Sequence, residues 1–379
     1  MPRPLAFLPF LVPLFCGLLL GACADVGSNT QPVSAASEVG ETLERAEGKL
    51  QSVTLDAIRA PGIEHLRTLR DMGVTHLTLI QFGFQPGYDV PEVRMNTDAR
   101  WFSEGDSGIR ILARQADSLG MRVILKPHIW VGEYRAGGLA RDAIGFDTEA
   151  DWVQWEGRYH AFMMHYAHLA REINAPLLVV GTELAHVART RPDFWRRLIA
   201  DVRQVYDGEL TYAANWYEEY EDITFWDALD YIGVQAYFEL SKAENPTLDM
   251  LREGWVPYKE TMQRLSERVG LPVLFTEIGY RNVPSAAAEP WRWPSRDEIG
   301  TVQPDDTLQA HLYQIFFESL WHEDWFAGAV IWKWRPDTEE RRRRRNYLDF
   351  SPQNKPAEQL IARWFSRHNA SQLEGSRRD

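Results

Sequence analysis

Two glutamates offer the chemistry in this sequence. Glu183 ends the apolar run Leu177-Leu178-Val179-Val180-Gly181-Thr182, and Glu277 ends Pro272-Val273-Leu274-Phe275-Thr276. An apolar run that stops abruptly at a carboxylate reads as a buried strand delivering an acid to its C-terminal mouth. Two carboxylates facing each other across a cleft can cleave a glycosidic bond, one protonating the leaving oxygen while the other attacks or activates water. For that, the two runs must be separate strands of one barrel, opening on the same face.

Periodicity supplies the elements that would position them. Strand-like runs lie at Leu50 to Leu55, His76 to Phe82, Arg122 to Pro127, Leu177 to Thr182, Leu210 to Ala214, Tyr231 to Gln235, Val273 to Thr276 and Ala327 to Trp332. Amphipathic stretches fall between them, at Ile63 to Met72, Ile109 to Leu119, Trp152 to Ile173, Phe194 to Val205, Met250 to Val269 and Thr307 to Glu323. Eight strands, mostly each followed by a helix, predict the α/β class and a single (β/α)8 TIM barrel. A doubly wound sheet gives the same alternation, but it usually carries a glycine-rich phosphate turn, and no G-x-G-x-x-G or Walker motif occurs. Gly73, Gly120 and Gly270 directly follow predicted helices, where a left-handed residue lets the chain turn into the next strand.

The predicted mouth is aromatic and polar at once. Lys126, His128 and Trp130 follow the third strand, Thr182 precedes Glu183 on the fourth, and Asn215 and Trp216 end the fifth. Tyr237 follows the sixth strand, Tyr280 and Arg281 lie beyond Glu277 on the seventh, and Trp332 and Trp334 end the eighth. That mixture suits a β-linked polysaccharide or oligosaccharide, whose C–H faces stack on indole rings while its hydroxyls need fixed donors and acceptors. Packing in the helix shell accounts equally well for any single tryptophan of the 15; their clustering with the two glutamates is what points to sugar.

The N-terminus reads as an address. Residues 1–22 carry Arg3, an apolar stretch from Leu5 to Leu20 broken by Pro9 and Pro13, and small residues before Cys23, which is an export signal rather than a membrane span. Leu20-Gly21-Ala22-Cys23 resembles the lipobox of bacterial lipoproteins, so Cys23 is expected to carry lipid as the mature N-terminus. Ala24, where aspartate favours the inner membrane, leans towards the outer membrane of a Gram-negative cell; an ordinary secretory signal is the alternative. Residues 23–48, rich in Ser, Ala, Glu, Gly and Thr, read as a flexible tether, 49–368 as the barrel and 369–379 as a polar tail.

Composition removes other classes. Cys16 leaves with the signal and Cys23 is expected to be acylated, so no thiol remains for a disulfide, a metal or a nucleophile. A net charge of -13 excludes nucleic acid as a partner. Arg341 to Arg345, beside Glu339 and Glu340, read as a solvated loop, with contact to anionic envelope glycans as the alternative. His160, His165 and His168 cluster on one predicted helix without a recognisable carboxylate ligand, and Glu183-x-x-His186 lacks the second copy that a di-iron bundle needs. No G-x-S-x-G elbow occurs either, so two-carboxylate chemistry without metal or cofactor is expected. Oligomeric state has no readable signal.

Several segments, in order, are similar to glycoside hydrolase family 113 of clan A: Ile80-Gln81-Phe82-Gly83-Phe84-Gln85, Lys126-Pro127-His128, Val180-Gly181-Thr182-Glu183-Leu184, Phe275-Thr276-Glu277-Ile278-Gly279-Tyr280 and Asp349-Phe350-Ser351-Pro352. The last leads into Lys355-Pro356-Ala357-Glu358, and the resemblance runs from about Leu50 to Trp364. It implies a retaining, endo-β-1,4-mannanase-like hydrolase, with Glu183 at the end of strand four as acid/base and Glu277 at the end of strand seven as nucleophile. It also implies that Tyr237 contacts the nucleophile and that Trp332 floors the subsite of the reacting sugar, with Trp334 as the alternative if the register slips. Arg281, Tyr280 and Tyr237 are the candidate donors to Glu277.

Thr182 stands where the clan usually has the asparagine that binds the sugar 2-hydroxyl, which leaves that donor open among Asn215, Lys126 and His128. Mannan, glucan and chitosan-type chains all remain as substrates. A non-catalytic glycan-binding envelope lipoprotein is the reading from another class, and retention of both glutamates opposes it. Endo or exo action is expected to depend on the loops Glu133 to Asp147 and Pro284 to Pro304.

Overall fold

The structure, a computed structural model, describes residues 48–132, 140–293, 295, 297–298, 300–336 and 348–375. The predicted signal, Cys23, the tether, Arg341 to Arg345 and part of each long loop lie outside the described residues.

Eight parallel strands close into a barrel. In chain order they are β1 (Leu50–Leu55), β2 (His76–Leu79), β4 (Arg122–Leu125), β6 (Leu177–Thr182), β7 (Glu209–Asn215), β8 (Tyr231–Gln235), β9 (Val273–Ile278) and β10 (Phe326–Trp334), and each pairs with the next, β10 closing on β1. Outside them run α1 (Ile63–Asp71), α2 (Asp106–Asp117), α3 (Glu149–Glu172), α4 (Ala185–Thr190), α5 (Pro192–Arg203), α6 (Leu248–Val269), α7 (Asp306–Leu320) and α8 (Pro356–Gly375). Glu183 thus follows the fourth barrel strand, and Glu277 lies on the seventh. Among the described residues no helix is long and apolar enough to cross a membrane.

Side-chain alternation explains the layering. Leu77, Leu79, Val123, Leu125, Leu178, Val180, Ile232, Val234, Val273 and Phe275 face outwards into one continuous core with the helices. The alternate residues Ile124, Leu177 and Leu274 form a separate small apolar cluster, packed with Leu50, Tyr231 and Ala327. Above that cluster the interior turns polar: Ser52 and Thr78 hydroxyls meet at 2.8 Å, and Thr276 Oγ1 donates to Gln235 Oε1 at 3.1 Å. Apolar filling therefore stops partway up the barrel, and polar groups take over towards the mouth.

The structure differs from the sequence expectation at three places. The second and third strands stop at Leu79 and Leu125, and the chain pairs again outside the barrel as β3 (Phe82–Gln85) on β5 (His128–Val131), with Phe82 opposite His128. Pro127, which has no N–H to donate, helps to interrupt the longer run. Five of the six predicted helices start one to three residues before their apolar pattern, because first turns are polar: Thr148, Thr247 and Asp305 side chains accept from Asp151, Met250 and Leu308 amides. Helix α8 continues to Gly375, into residues read as tail. Gly73, Gly120 and Gly270 do adopt the left-handed conformation, at φ 89°, 74° and 77°.

Candidate active site

Glu277 lies where β9 departs from regular pairing. Val234 of β8 opposes Phe275, but the next residue, Gln235, opposes Glu277, so β9 carries one extra residue. Strict alternation puts Leu274 and Thr276 inside and Glu277 outside; the bulge turns it back towards the mouth. The residue is 5% exposed, and its carboxylate receives three side chains. Lys126 Nζ donates to Oε2 at 2.6 Å, Tyr237 donates its hydroxyl to Oε1, and Gln235 Nε2 reaches Oε2 at 3.2 Å.

Lys126 is wholly buried, and all three of its ammonium protons are used. Besides Glu277 it donates to Gln235 Oε1 at 2.7 Å and to the Thr276 carbonyl at 2.9 Å. Burial pushes its pKa down while Glu277 and then Glu183 pull it back up. Three converging acceptors suit the ammonium form.

Glu183 stands just past the end of β6, with a left-handed backbone at φ 54°. That conformation costs a residue with a side chain about 1–2 kcal/mol and persists only where neighbours over-determine it. Here the Glu183 amide donates to the Ala213 carbonyl at 2.8 Å, and the Leu184 amide donates to Tyr212 Oη at 2.7 Å. Tyr212 in turn donates to Glu219 Oε1 at 2.5 Å, whose other oxygen accepts from the Asn215 amide and side chain at 2.7 and 2.8 Å. A buried polar relay thus braces the backbone beside Glu183.

The Glu183 carboxylate meets Arg141, whose Nε and Nη2 lie 3.0 and 2.8 Å from Oε2. Burial alone would raise its pKa; the Arg141 guanidinium, with Lys126 and the Gln235 amide, outweighs that and holds the carboxyl below the ordinary range. Gln235 Nε2 lies 3.3 Å from Glu183 Oε1 and 3.2 Å from Glu277 Oε2, so these oxygens are separated by no more than the sum, roughly 6.5 Å, the scale on which paired carboxylates act together.

Rings line the rest. Trp216 meets Tyr237 edge-on at 5.5 Å, and Trp332 is partly exposed with Lys333 Nζ 4.5 Å from its ring centroid. Trp130, on β5, packs edge-on against Phe82 at 6.0 Å.

Comparison with known proteins fits this geometry. The sequence model of Glycoside Hydrolase Family 113 matches residues 59–355, most of the chain. The chain belongs to glycoside hydrolase family 113. A solved family 113 β-1,4-mannanase complex is 25% identical with a TM-score of 0.71, covering 84% of this chain and 99% of that one. The family 113 β-mannanase AaManA from Alicyclobacillus acidocaldarius, in complex with ManMIm, is 26% identical with a TM-score of 0.71, covering 84% and 98%. Fungal β-1,4-galactanases share the fold at 12% identity and a TM-score of 0.51, over 83% and 99%. No protein with a curated function matches the sequence. The chain is therefore a glycoside hydrolase on a TIM barrel.

Within this family 113 barrel several residues take other tasks than those read from sequence. Lys126 holds Glu277 and has no proton left for a sugar hydroxyl. Thr182, 1% exposed, donates to the Pro127 carbonyl at 3.4 Å, a tie between strands. Asn215 has one amide proton engaged by Glu219. Tyr280 turns away from the cleft, packing edge-on against Tyr313 of α7 at 5.2 Å with its carbonyl accepting from Gln309. Arg281 is buried without a hydrogen-bond partner for Nε or Nη2 among the described residues, so neither it nor Tyr280 reaches Glu277. Trp334, 4% exposed, packs in the helix-facing core. His128 is buried and its Nε2 has no partner among the described residues; burial, then Arg141 and Lys126, hold its pKa well below 6.5, so the ring is neutral.

Sequence reading missed Arg141, Gln235, Tyr212 and Glu219. Gln235 alone had a signal, standing at the end of a predicted strand. His160 and His165 instead pair with Asp201 on α5 and Asp106 on α2, at 2.9 and 3.0 Å.

Proposed function

We propose that the chain is a retaining β-glycoside hydrolase that cleaves β-1,4-linked mannan or mannooligosaccharides by double displacement, with Glu277 as nucleophile and Glu183 as acid/base. The shared Gln235 nitrogen carries this reading. It keeps the facing oxygens of the two carboxylates no further apart than the lower limit of the ~6.5–9.5 Å that inverting enzymes need for an intervening water, and within reach of the ~5–5.5 Å of retaining ones.

In the first step a Glu277 oxygen attacks the anomeric carbon as Glu183 protonates the departing oxygen. The sugar is left as an ester on Glu277; in the second step Glu183 takes a proton from the water that cleaves it. Lys126 and Tyr237 fix the attacking carboxylate, which keeps its geometry through both steps. Trp332, partly exposed at the end of β10, is the floor for the reacting sugar. With Lys126 fully committed, Asn215 and neutral His128 are the donors left for the 2-hydroxyl. Mannan is favoured because solved family 113 structures similar to this chain are described as β-mannanases.

A panel of mannan, glucomannan, cellulose and chitosan oligosaccharides, with the product anomer followed by NMR, tests this directly. Mannan cleavage with initial release of the β-anomer is expected, and product sizes will separate endo from exo action. Inversion, or cleavage of only glucan or chitosan, overturns the mechanism or the substrate respectively; absence of any cleavage turns the barrel into a glycan-binding protein. Glu277→Gln should lower kcat by about 10⁴-fold or more. We also infer export and lipid anchoring at Cys23, supported by the residue pattern before it; incorporation of labelled fatty acid that Cys23→Ser fails to abolish would sink that.

A further inference from the structure

Glu183, as it stands, is the wrong ion for the first step. Both of its oxygens are engaged, Oε2 by a hydrogen bond from Arg141 Nε and an ion pair with Nη2, and Oε1 by a hydrogen bond from Gln235 Nε2. A carboxylic acid that must donate to a glycosidic oxygen needs one oxygen clear of donors. The two donors differ in how they are held. Gln235 lies on β8, whereas Arg141 opens a three-residue 3-10 turn, Arg141–Ala143, and its side chain is 24% exposed. Beyond Glu183, Arg141 makes a single bond among the described residues, Nη1 to the Ile129 carbonyl at 3.1 Å.

We propose that Arg141 is a latch on Glu183, an inference that rests on the acid/base reading above. The guanidinium pairs with Glu183 before substrate binds, and hydroxyls of a sugar entering on the leaving-group side take over Nε and Nη2. Oε2 then accepts a proton from solvent and passes it to the glycosidic oxygen as the C–O bond breaks. The bonding electrons leave with that oxygen while a Glu277 lone pair forms the ester. Among the described residues the other charged and titratable groups around Glu183 are Lys126, Glu277, Glu219, Tyr217 and Tyr237. None of these has to move for Oε2 to be freed.

The sign of the effect is testable in pH profiles. The limbs of kcat/KM report the free enzyme and those of the saturated rate report the complex, and a neutral sugar adds no limb of its own. For a mannooligosaccharide, the basic limb of kcat/KM should lie roughly one to three pH units below that of the single-turnover cleavage rate at saturation, the range an adjacent cation imposes. Arg141→Gln should move the kcat/KM limb up to meet the other, alongside a lower saturated rate from the lost sugar contacts. Arg141→Lys, retaining the charge without the fork, should fall between. Coincident limbs in the wild type, or a parallel shift of both in Arg141→Gln, overturns the latch. If Arg141→Gln misfolds, the wild-type limbs and Arg141→Lys still decide. Glu183→Gln separates the two ideas: equal cleavage of oligosaccharide and activated aryl glycoside removes the acid/base reading itself. Loss confined to the oligosaccharide, with unmoved Arg141→Gln limbs, removes only the latch.

Discussion

The two halves of the cleft are held by different kinds of structure. Glu277 lies on β9 and is gripped by Lys126, next after β4, and by Gln235 and Tyr237 at the end of β8. Glu183 lies past the end of β6 in a left-handed conformation, and its strongest partner, Arg141, comes from a short turn. The proposed roles account for the contrast. A nucleophile keeps one geometry throughout, and barrel strands supply that; an acid/base changes protonation twice per turnover, which a partner carried on a loop can allow.

The strongest way to break the comparison is at Lys126. Removing one member of a buried ion pair strands the other, at about 3–5 kcal/mol. Lys126→Met should therefore lose about that much stability in urea unfolding, together with about 10³-fold in kcat, because Glu277 loses its principal cation. A folded Lys126→Met with near wild-type kcat would show that Tyr237 and Gln235 suffice, and that the Glu277 half is less dependent on its cation than its geometry says.

The Glu183 half has its own buried support, and pH reads it. Burial, the dominant cause, raises the Glu219 pKa from 4.5 to about 7, against the hydrogen bonds from Tyr212 and Asn215. The folded state therefore binds this proton more tightly than the unfolded chain does. The stability from that proton is complete below about 4.5 and is lost as pH rises through about 7. Glu219→Gln should flatten unfolding free energy across that window, at a cost of about 1–3 kcal/mol below it from altered bonds to Tyr212 and Asn215. An unchanged slope would place the titration elsewhere and leave the Glu183 backbone braced by neutral contacts alone.

The barrel, its strand count and the placement of both glutamates at strand ends were legible because they depend on runs of apolar residues and where they stop. What stayed hidden depends on departures from alternation. Trp332 and Trp334 are two apart and share a face in a regular strand. Yet Val53 pairs with Ile331 and Leu55 with Trp334, so β10 carries an extra residue there and Trp334 turns to the core. The same kind of bulge aims Glu277 inwards. Lys126 was visible as a strand-end lysine, but its partners, Gln235 and Thr276, come from strands more than a hundred residues away in sequence, and nothing local announces them. Arg141 had less signal still, being one arginine in an irregular loop.

The smallest expected effect lies at the edge of the Glu277 half. Trp293 is 50% exposed and meets Phe350 edge-on at 4.9 Å, and Phe350 meets Tyr237 at 6.0 Å, so a chain of rings leads from the proposed nucleophile to solvent. If a ring so exposed is a platform for a more distant sugar of a long chain, its stacking contributes about 0.5–1.5 kcal/mol. Trp293→Ala should then raise KM by about two- to tenfold for a long mannooligosaccharide, leaving kcat and the KM of a short one unchanged. Equal effects on short and long substrates would instead mean that Trp293 acts inward through Phe350 and Tyr237, as part of the clamp on Glu277.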